Sequence, residues 1–165
     1  MSIVEAFIAE LEGEAATTRR LFERVPDERL SWKPHEKSMS LGELAYHIAF
    51  LPRGIADLLT ELVVEVPNVP RHEAVSREEL VSTIDQSVPH AIEMLRSFGD
   101  DGMRAIWRMT MQGRTLLELP RLAMFRSVML NHWYHHRGQL TVYLRMLDIP
   151  LPSVYGPTAD EQIFG

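Results

Sequence analysis

The stretch that decides the fold lies near the end of a long run of apolar residues and reads Asn131-His132-Trp133-Tyr134-His135-His136-Arg137-Gly138-Gln139-Leu140. The run extends from about residue 122 to residue 147, and its spacing predicts a helix. At about 100° per residue, His136 falls inside the apolar arc of this helix and His132 at its edge. His135 falls about 60° beyond His132, towards solvent. We therefore expect two of these three histidines to face the interior.

Two inward histidines one helical turn apart allow two interpretations. Each could be a neutral core histidine with one hydrogen bond, which is the usual interpretation of a lone buried histidine. A pair about 6 Å apart competes for hydrogen-bond partners, and neither ring ionises cheaply in the interior. A metal ion bound by both lone pairs would resolve both problems. The spacing alone leaves core packing and metal binding about equally favoured.

The composition excludes several classes of protein. The chain has 165 residues, 45% of them hydrophobic, which predicts a single domain over residues 1–165 with a sizeable core. No apolar run reaches the length of a membrane span and no signal sequence follows Met1, so we expect a cytoplasmic protein that does not enter a membrane. The net charge of −6 argues against a nucleic-acid partner.

The absence of cysteine limits the available chemistry. It excludes disulfides, thiolate zinc sites and a cysteine nucleophile in the chain. Any sulfur chemistry would therefore need a thiol from outside.

Three more amphipathic segments precede the histidine-rich helix. Each follows a serine that has glutamate three residues later, a pattern that predicts an N-cap with a capping box. The serines are Ser2, Ser40 and Ser76. The apolar spacing predicts helices over about residues 3–25, 41–62 and 77–98, with Gly99 ending the third. Residues 100–119 alternate weakly around Gln112-Gly113, which allows a short extended excursion or hairpin, but we predict no sheet there, because an isolated two-stranded ribbon is marginal. The expected fold is an all-α four-helix bundle.

His47 is the third candidate metal ligand. It lies at the edge of the apolar stripe of the second predicted helix, with Glu43 one turn before it on the same side. A lone histidine at such an edge means little, but here it supplies the third imidazole that the pair at 132 and 136 requires. Other metal schemes fit less well, since no Glu-x-x-His or His-Glu-x-x-His motif is present. No nucleophile elbow of a serine hydrolase is present either.

Several pieces of the sequence match one family in order. They are Ser40-Leu-Gly-Glu-Leu-Ala-Tyr-His-Ile-Ala49, His132-Trp-Tyr-His-His-Arg-Gly-Gln-Leu140, Leu144-Arg-Met-Leu-Asp-Ile-Pro-Leu-Pro152 and Tyr155-Gly-Pro157. On these residues the chain resembles the DinB-like (DinB/YfiT-like) metalloenzymes, although Asp148 stands where relatives often carry glycine. The resemblance implies a four-helix bundle with a long crossover connection, often a homodimer. It also implies a divalent metal held by His47, His132 and His136. The family is unrelated to the DNA polymerase that shares its name.

Three imidazoles leave coordination positions open, which is typical of a catalytic metal site. Zinc, nickel and iron all suit such ligands. Glu43 would support the site as a neighbouring carboxylate or serve only as a helix cap. Gln139 would either line a pocket or lie at the surface. Tyr143 would either line the same pocket or pack in the core. We expect Arg137 to form a structural ion pair.

Two functional hypotheses remain open. Some relatives transfer or isomerise substrates with a low-molecular-weight thiol such as bacillithiol or mycothiol, which implies a metal-dependent enzyme acting on a small molecule. The alternative is a non-catalytic bundle that binds a metal or ligand and takes part in a stress response.

Overall fold

Long helices build most of the fold in the computed structural model, which describes residues 2–68 and 71–162. They are α1 (Ile3–Phe22), α2 (Leu41–Leu58), α3 (Arg77–Arg104) and a final rod. The rod consists of α4 (Arg121–Met124), a π-helical segment (Phe125–Leu130) and α5 (Asn131–Met146), with helical backbone angles at both junctions. None of the helices in the described ranges has the length and apolarity needed to cross a lipid bilayer.

The three predicted serine caps are all present. The hydroxyl of each serine accepts a hydrogen bond from the backbone N–H three residues later, which begins α1, α2 and α3. At Ser40 the capping box is complete, since the Glu43 carboxylate accepts from the Ser40 N–H at 2.8 Å. Glu79 instead accepts from the N–H of Val75 at 2.7 Å, one residue before the cap.

A small sheet corrects the all-α prediction. β1 (Val63–Glu65) pairs in parallel with β2 (Ile106–Met111), and β2 pairs antiparallel with β3 (Arg114–Pro120). The ribbon is not isolated, because β1 adds a strand from far away in the sequence. Trp107 of β2 is fully buried and its indole N–H donates to the Leu58 carbonyl at 3.2 Å. Burial against the helices therefore stabilises a sheet that a local pattern does not predict.

Two helix boundaries also differ from the prediction. α2 ends at Leu58, and Leu62, predicted to belong to its buried stripe, is 45% exposed. Gly99 has φ of +61° and interrupts α3, which then resumes and runs to Arg104. Glycine adopts this conformation without the steric cost that other residues have.

The acidic residues of α1 are not simply a solvated face. Arg126 donates to both carboxylate oxygens of Glu10, at 2.7 and 2.6 Å. Arg137 is 2% exposed and forms an ion pair with Glu14, as expected for a structural role, and also donates to the Tyr155 hydroxyl. These contacts attach α1 and the C-terminal segment to the back of the final rod, away from the histidines.

Candidate metal centre

Three half-buried histidines from two helices meet at one point. His47 lies on α2, and His132 and His136 lie one turn apart on α5. The Nε2 atom of His132 is 3.5 Å from Nε2 of His47 and 2.7 Å from Nε2 of His136. One ligand nitrogen from each ring lies within 4.8 Å of the other two. The structure thus brings together the three histidines selected from the sequence.

A buried tryptophan fixes the two helices in register. Trp133, next to His132, is fully buried, and its indole N–H donates to the carbonyl of Ile48 at 2.9 Å. Ile48 follows His47 directly and is also fully buried. Trp133 is the chain neighbour of His132, and Ile48 is the chain neighbour of His47. The hydrogen bond between them therefore sets the distance between the imidazoles of α2 and α5.

The π-helical segment changes the phase of the final rod just before the histidines. A π turn holds more residues than an α turn, so side chains before and after it do not keep one helical-wheel phase. Met124 and Leu130 are fully buried, whereas Leu122, near the start of the predicted helix, is only half-buried. The histidines lie after this segment, where α-helical spacing holds.

A hydrogen bond to the outer ring nitrogen fixes one of the imidazoles. His136 Nδ1 lies 2.7 Å from the Oε1 atom of Gln139, so its N–H donates there and leaves Nε2 with its lone pair. Burial lowers the pKa of His132 by more than the backbone of Val128, in the π-helical segment, raises it. The distance of 2.7 Å between the Nε2 atoms of His132 and His136 suits a hydrogen bond from the N–H of one neutral ring to the lone pair of the other. A metal ion bound between the rings would use both lone pairs instead.

The surroundings keep the three rings neutral. Burial lowers the pKa of His47 to about 4, and repulsion from the charged forms of His136 and His132 adds to this effect. Burial is also the main cause that lowers the pKa of His132 and of His136. Neutral imidazoles are the form that binds a metal ion, so the ligands are available at pH 7.

The donor set fits a divalent metal ion. Four-coordinate zinc holds imidazole nitrogens at about 2.0–2.1 Å, which places pairs of them about 3.3 Å apart. The observed separations of 2.7 and 3.5 Å lie on either side of that value. Three nitrogen ligands without a thiolate are compatible with zinc, nickel or iron and leave positions for water or substrate.

A cavity of about 560 Å³ opens beside the three histidines. Its walls are mostly apolar, and the rings of Tyr46 and Phe50 stack nearly parallel, with centroids 6.1 Å apart. The remaining lining residues are Met39, Glu43, Arg71 and His72. An open coordination position would face a space large enough for a small molecule.

The other candidates from the sequence have different positions. Glu43 lines the cavity, but its carboxylate caps α2 and lies 3.7 Å from the Lys33 ammonium, so the capping interpretation describes its contacts. Gln139 contacts His136 rather than the cavity. Tyr143 donates to the Met39 carbonyl at 3.3 Å and does not line the cavity.

Sequence reasoning missed much of the cavity wall. Tyr46 and Phe50 are one residue before and three residues after His47, a spacing that places them near it on α2 and could have identified them. Arg71 and His72 lie in an irregular connection, where no periodicity shows which way a side chain points.

Comparisons with known proteins identify the family of this chain. A profile of the DinB superfamily matches residues 10–140. The protein YrdA of Bacillus subtilis (strain 168) is 27% identical over 164 residues, which cover 96% of this chain and 91% of YrdA. A DinB-like protein from Bacillus cereus ATCC 10987 has a solved structure with a TM-score of 0.69 and 25% identity, covering 92% of this chain and 97% of that one. The DinB-like protein YjoA of Bacillus subtilis shares the fold, with a TM-score of 0.66 and 20% identity over 96% of this chain and 99% of YjoA. The chain belongs to the DinB superfamily.

Proposed function

We propose that the protein is a metal-dependent enzyme that uses a low-molecular-weight thiol to conjugate or isomerise a small molecule. One observation carries the proposal: three neutral imidazoles converge beside an apolar cavity. Among residues 2–68 and 71–162, no carboxylate joins that group to close the site. This arrangement is typical of catalytic rather than structural metal sites.

A divalent ion held by His47, His132 and His136 would favour the deprotonated form of a coordinated thiol or water near neutral pH. A free thiol, with a pKa of about 8.5, is mostly protonated at that pH. The chain has no cysteine, so the sulfur would come from a cofactor. In a conjugation the thiolate sulfur forms a carbon–sulfur bond, the leaving group departs with its electron pair, and the thiol proton passes to solvent.

The protein's own residues supply orientation and an apolar wall. Gln139 holds His136 in one tautomer. The rings of Tyr46 and Phe50 form an apolar wall beside the histidines. Low polarity around the site strengthens electrostatic interactions within it.

Titration of thiols into the cobalt-substituted protein tests the proposal. A sulfur-to-cobalt charge-transfer band should appear in the wild type and in His135→Ala, whose ring lies outside the three-histidine group. The band should be absent in His132→Ala and His136→Ala. If none of several cellular thiols changes the cobalt spectrum, the thiol reaction is wrong, and a bundle that binds a metal or ligand without catalysis becomes the better account.

A further inference from the structure

A short irregular segment lies beside the candidate metal centre. We call residues 71–75 the strap. The ring of His72 lies 4.1 Å from the ring of Tyr46 on α2, and its Nε2 atom is 2.8 Å from the Glu79 carboxylate. The other oxygen of Glu79 accepts from the N–H of Val75 at 2.7 Å. Glu79 thereby holds the strap at two points.

The strap is also attached to the start of α2. Ala74 is 2% exposed and its N–H donates to the Gly42 carbonyl at 3.5 Å, while the Ser40 hydroxyl contacts the Glu73 carboxylate. A Cβ atom at Gly42 would lie 2.9 Å from Glu73 Cγ and 3.2 Å from the Ala74 carbonyl oxygen. Glycine at this position therefore permits the close approach of Glu73 and Ala74 to the start of α2.

Arg71 brings a positive charge to the cavity that holds the histidines. Its side chain is exposed and lines the cavity. Within the described ranges, no carboxylate forms an ion pair with it. The acidic residue of the cavity, Glu43, has partners of its own in the Ser40 N–H and Lys33.

We propose that the cavity binds a small organic anion whose carboxylate pairs with Arg71 and whose apolar body packs on Tyr46 and Phe50. The fork of an arginine side chain matches a carboxylate with two parallel hydrogen bonds. A chain with a net charge of −6 repels anions as a whole, and Arg71 supplies the cavity with a local positive charge even when no metal is bound. The inference rests on the proposed function, because it assigns the small molecule to the same cavity.

The carboxylate can belong either to the thiol or to the electrophile. In the first experimental arm, 3-mercaptopropionate and the uncharged 2-mercaptoethanol are titrated into the cobalt-substituted protein. Arg71→Gln should weaken binding of 3-mercaptopropionate about tenfold, the effect of losing a charge-assisted pair, and leave 2-mercaptoethanol unchanged. Arg96→Gln is the matched control, since Arg96 is an exposed arginine of α3 that does not line the cavity.

The second arm needs neither metal nor thiol. Calorimetry of the metal-free protein compares 3-phenylpropionate with the uncharged 3-phenyl-1-propanol, in the wild type and the same two variants. If Arg71→Gln alone binds 3-phenylpropionate about tenfold more weakly, and binds 3-phenyl-1-propanol as the wild type does, the carboxylate belongs to the electrophile. The same loss in the first arm assigns it to the thiol.

If Arg71→Gln binds 3-mercaptopropionate and 3-phenylpropionate as tightly as the wild type does, the inference is overturned. This conclusion does not depend on whether thiols change the cobalt spectrum. If no thiol changes that spectrum, the proposed function fails while the second arm still decides the inference. Circular dichroism of Arg71→Gln should match the wild type, because the side chain is exposed.

Discussion

At the scale of the residue, the chemistry of the site depends on which nitrogen of each histidine is available. The sequence allows Gln139 either a pocket or a surface position; in the structure its Oε1 atom lies 2.7 Å from His136 Nδ1 and directs Nε2 towards the other two rings. Helical spacing was sufficient to select His132 and His136 as an inward pair. It could not show the contact of Gln139, because rotamers and tautomers are set by packing.

The first prediction concerns metal content. His136→Ala should lose most of the bound metal, because it removes one of three converging nitrogens. His135→Ala should retain it, since that exposed ring lies outside the group. Metal analysis of the purified variants measures this, and equal loss from both would show that the inward pair is wrongly assigned.

The second prediction concerns the stability of the metal-free protein in mild acid. Burial lowers the pKa of His47 to about 4, whereas an unfolded histidine has a pKa of about 6.5. As the pH falls below about 6.5 the unfolded chain takes up a proton that folded His47 does not, so the free energy of unfolding decreases. The midpoint of thermal unfolding should therefore fall between pH 7 and pH 5.

His47→Gln should show a smaller fall in the midpoint of thermal unfolding between pH 7 and pH 5. Glutamine does not titrate, so position 47 takes up no proton when the variant unfolds. His135→Gln, which changes an exposed histidine, is the control and should behave like the wild type. An unchanged fall in His47→Gln would contradict the assigned cause.

At the scale of the element, local signals predicted helices well and the sheet poorly. Serine caps at 2, 40 and 76 depend only on residues within one turn, and all three begin helices. β1 pairs with a strand more than forty residues later, so nothing near it in the sequence indicates its partner. The π-helical segment likewise has no periodic signature, and around it Met124 and Leu130 are buried together with Phe125 and Met129.

The third prediction concerns the contact between the strap and α2. Gly42→Ala should destabilise the protein by about 1–3 kcal/mol, because the added methyl group meets Glu73 and the Ala74 backbone. Hydrogen exchange at the amides of Ala74 and Val75 should accelerate as the strap moves away. Gly13→Ala in α1 is the control, since nothing lies within 4 Å of its new Cβ atom, and it should leave the strap unchanged. Unaltered exchange in Gly42→Ala would show that the strap tolerates the methyl group.

At the scale of the whole molecule, charge limits the partners that the surface can attract. Lysine and arginine together number 17 against 23 acidic residues. Several of the basic residues are also paired in the fold, among them Arg126 with Glu10 and Arg137 with Glu14. A protein that binds phosphate backbones needs a free basic surface to release counterions.

The fourth prediction is that duplex DNA binds weakly or not at all at physiological salt. Fluorescence anisotropy with a labelled duplex measures this, and a steep salt dependence should be absent. A sub-micromolar complex under those conditions would overturn the conclusion drawn from charge.

The last prediction concerns assembly, and we propose a homodimer. Large apolar side chains are exposed at several positions, and two of them, Val142 and Met146, lie one turn apart on the same face of α5. Exposed apolar groups that lie together are typical of interaction surfaces. Light scattering at micromolar concentration should give twice the 19.0 kDa of one chain. Glutamate at both Val142 and Met146 should dissociate the dimer, whereas glutamate at Leu116, an exposed residue of β3, should leave it intact. A single-chain mass for the wild type at that concentration would count decisively against the dimer.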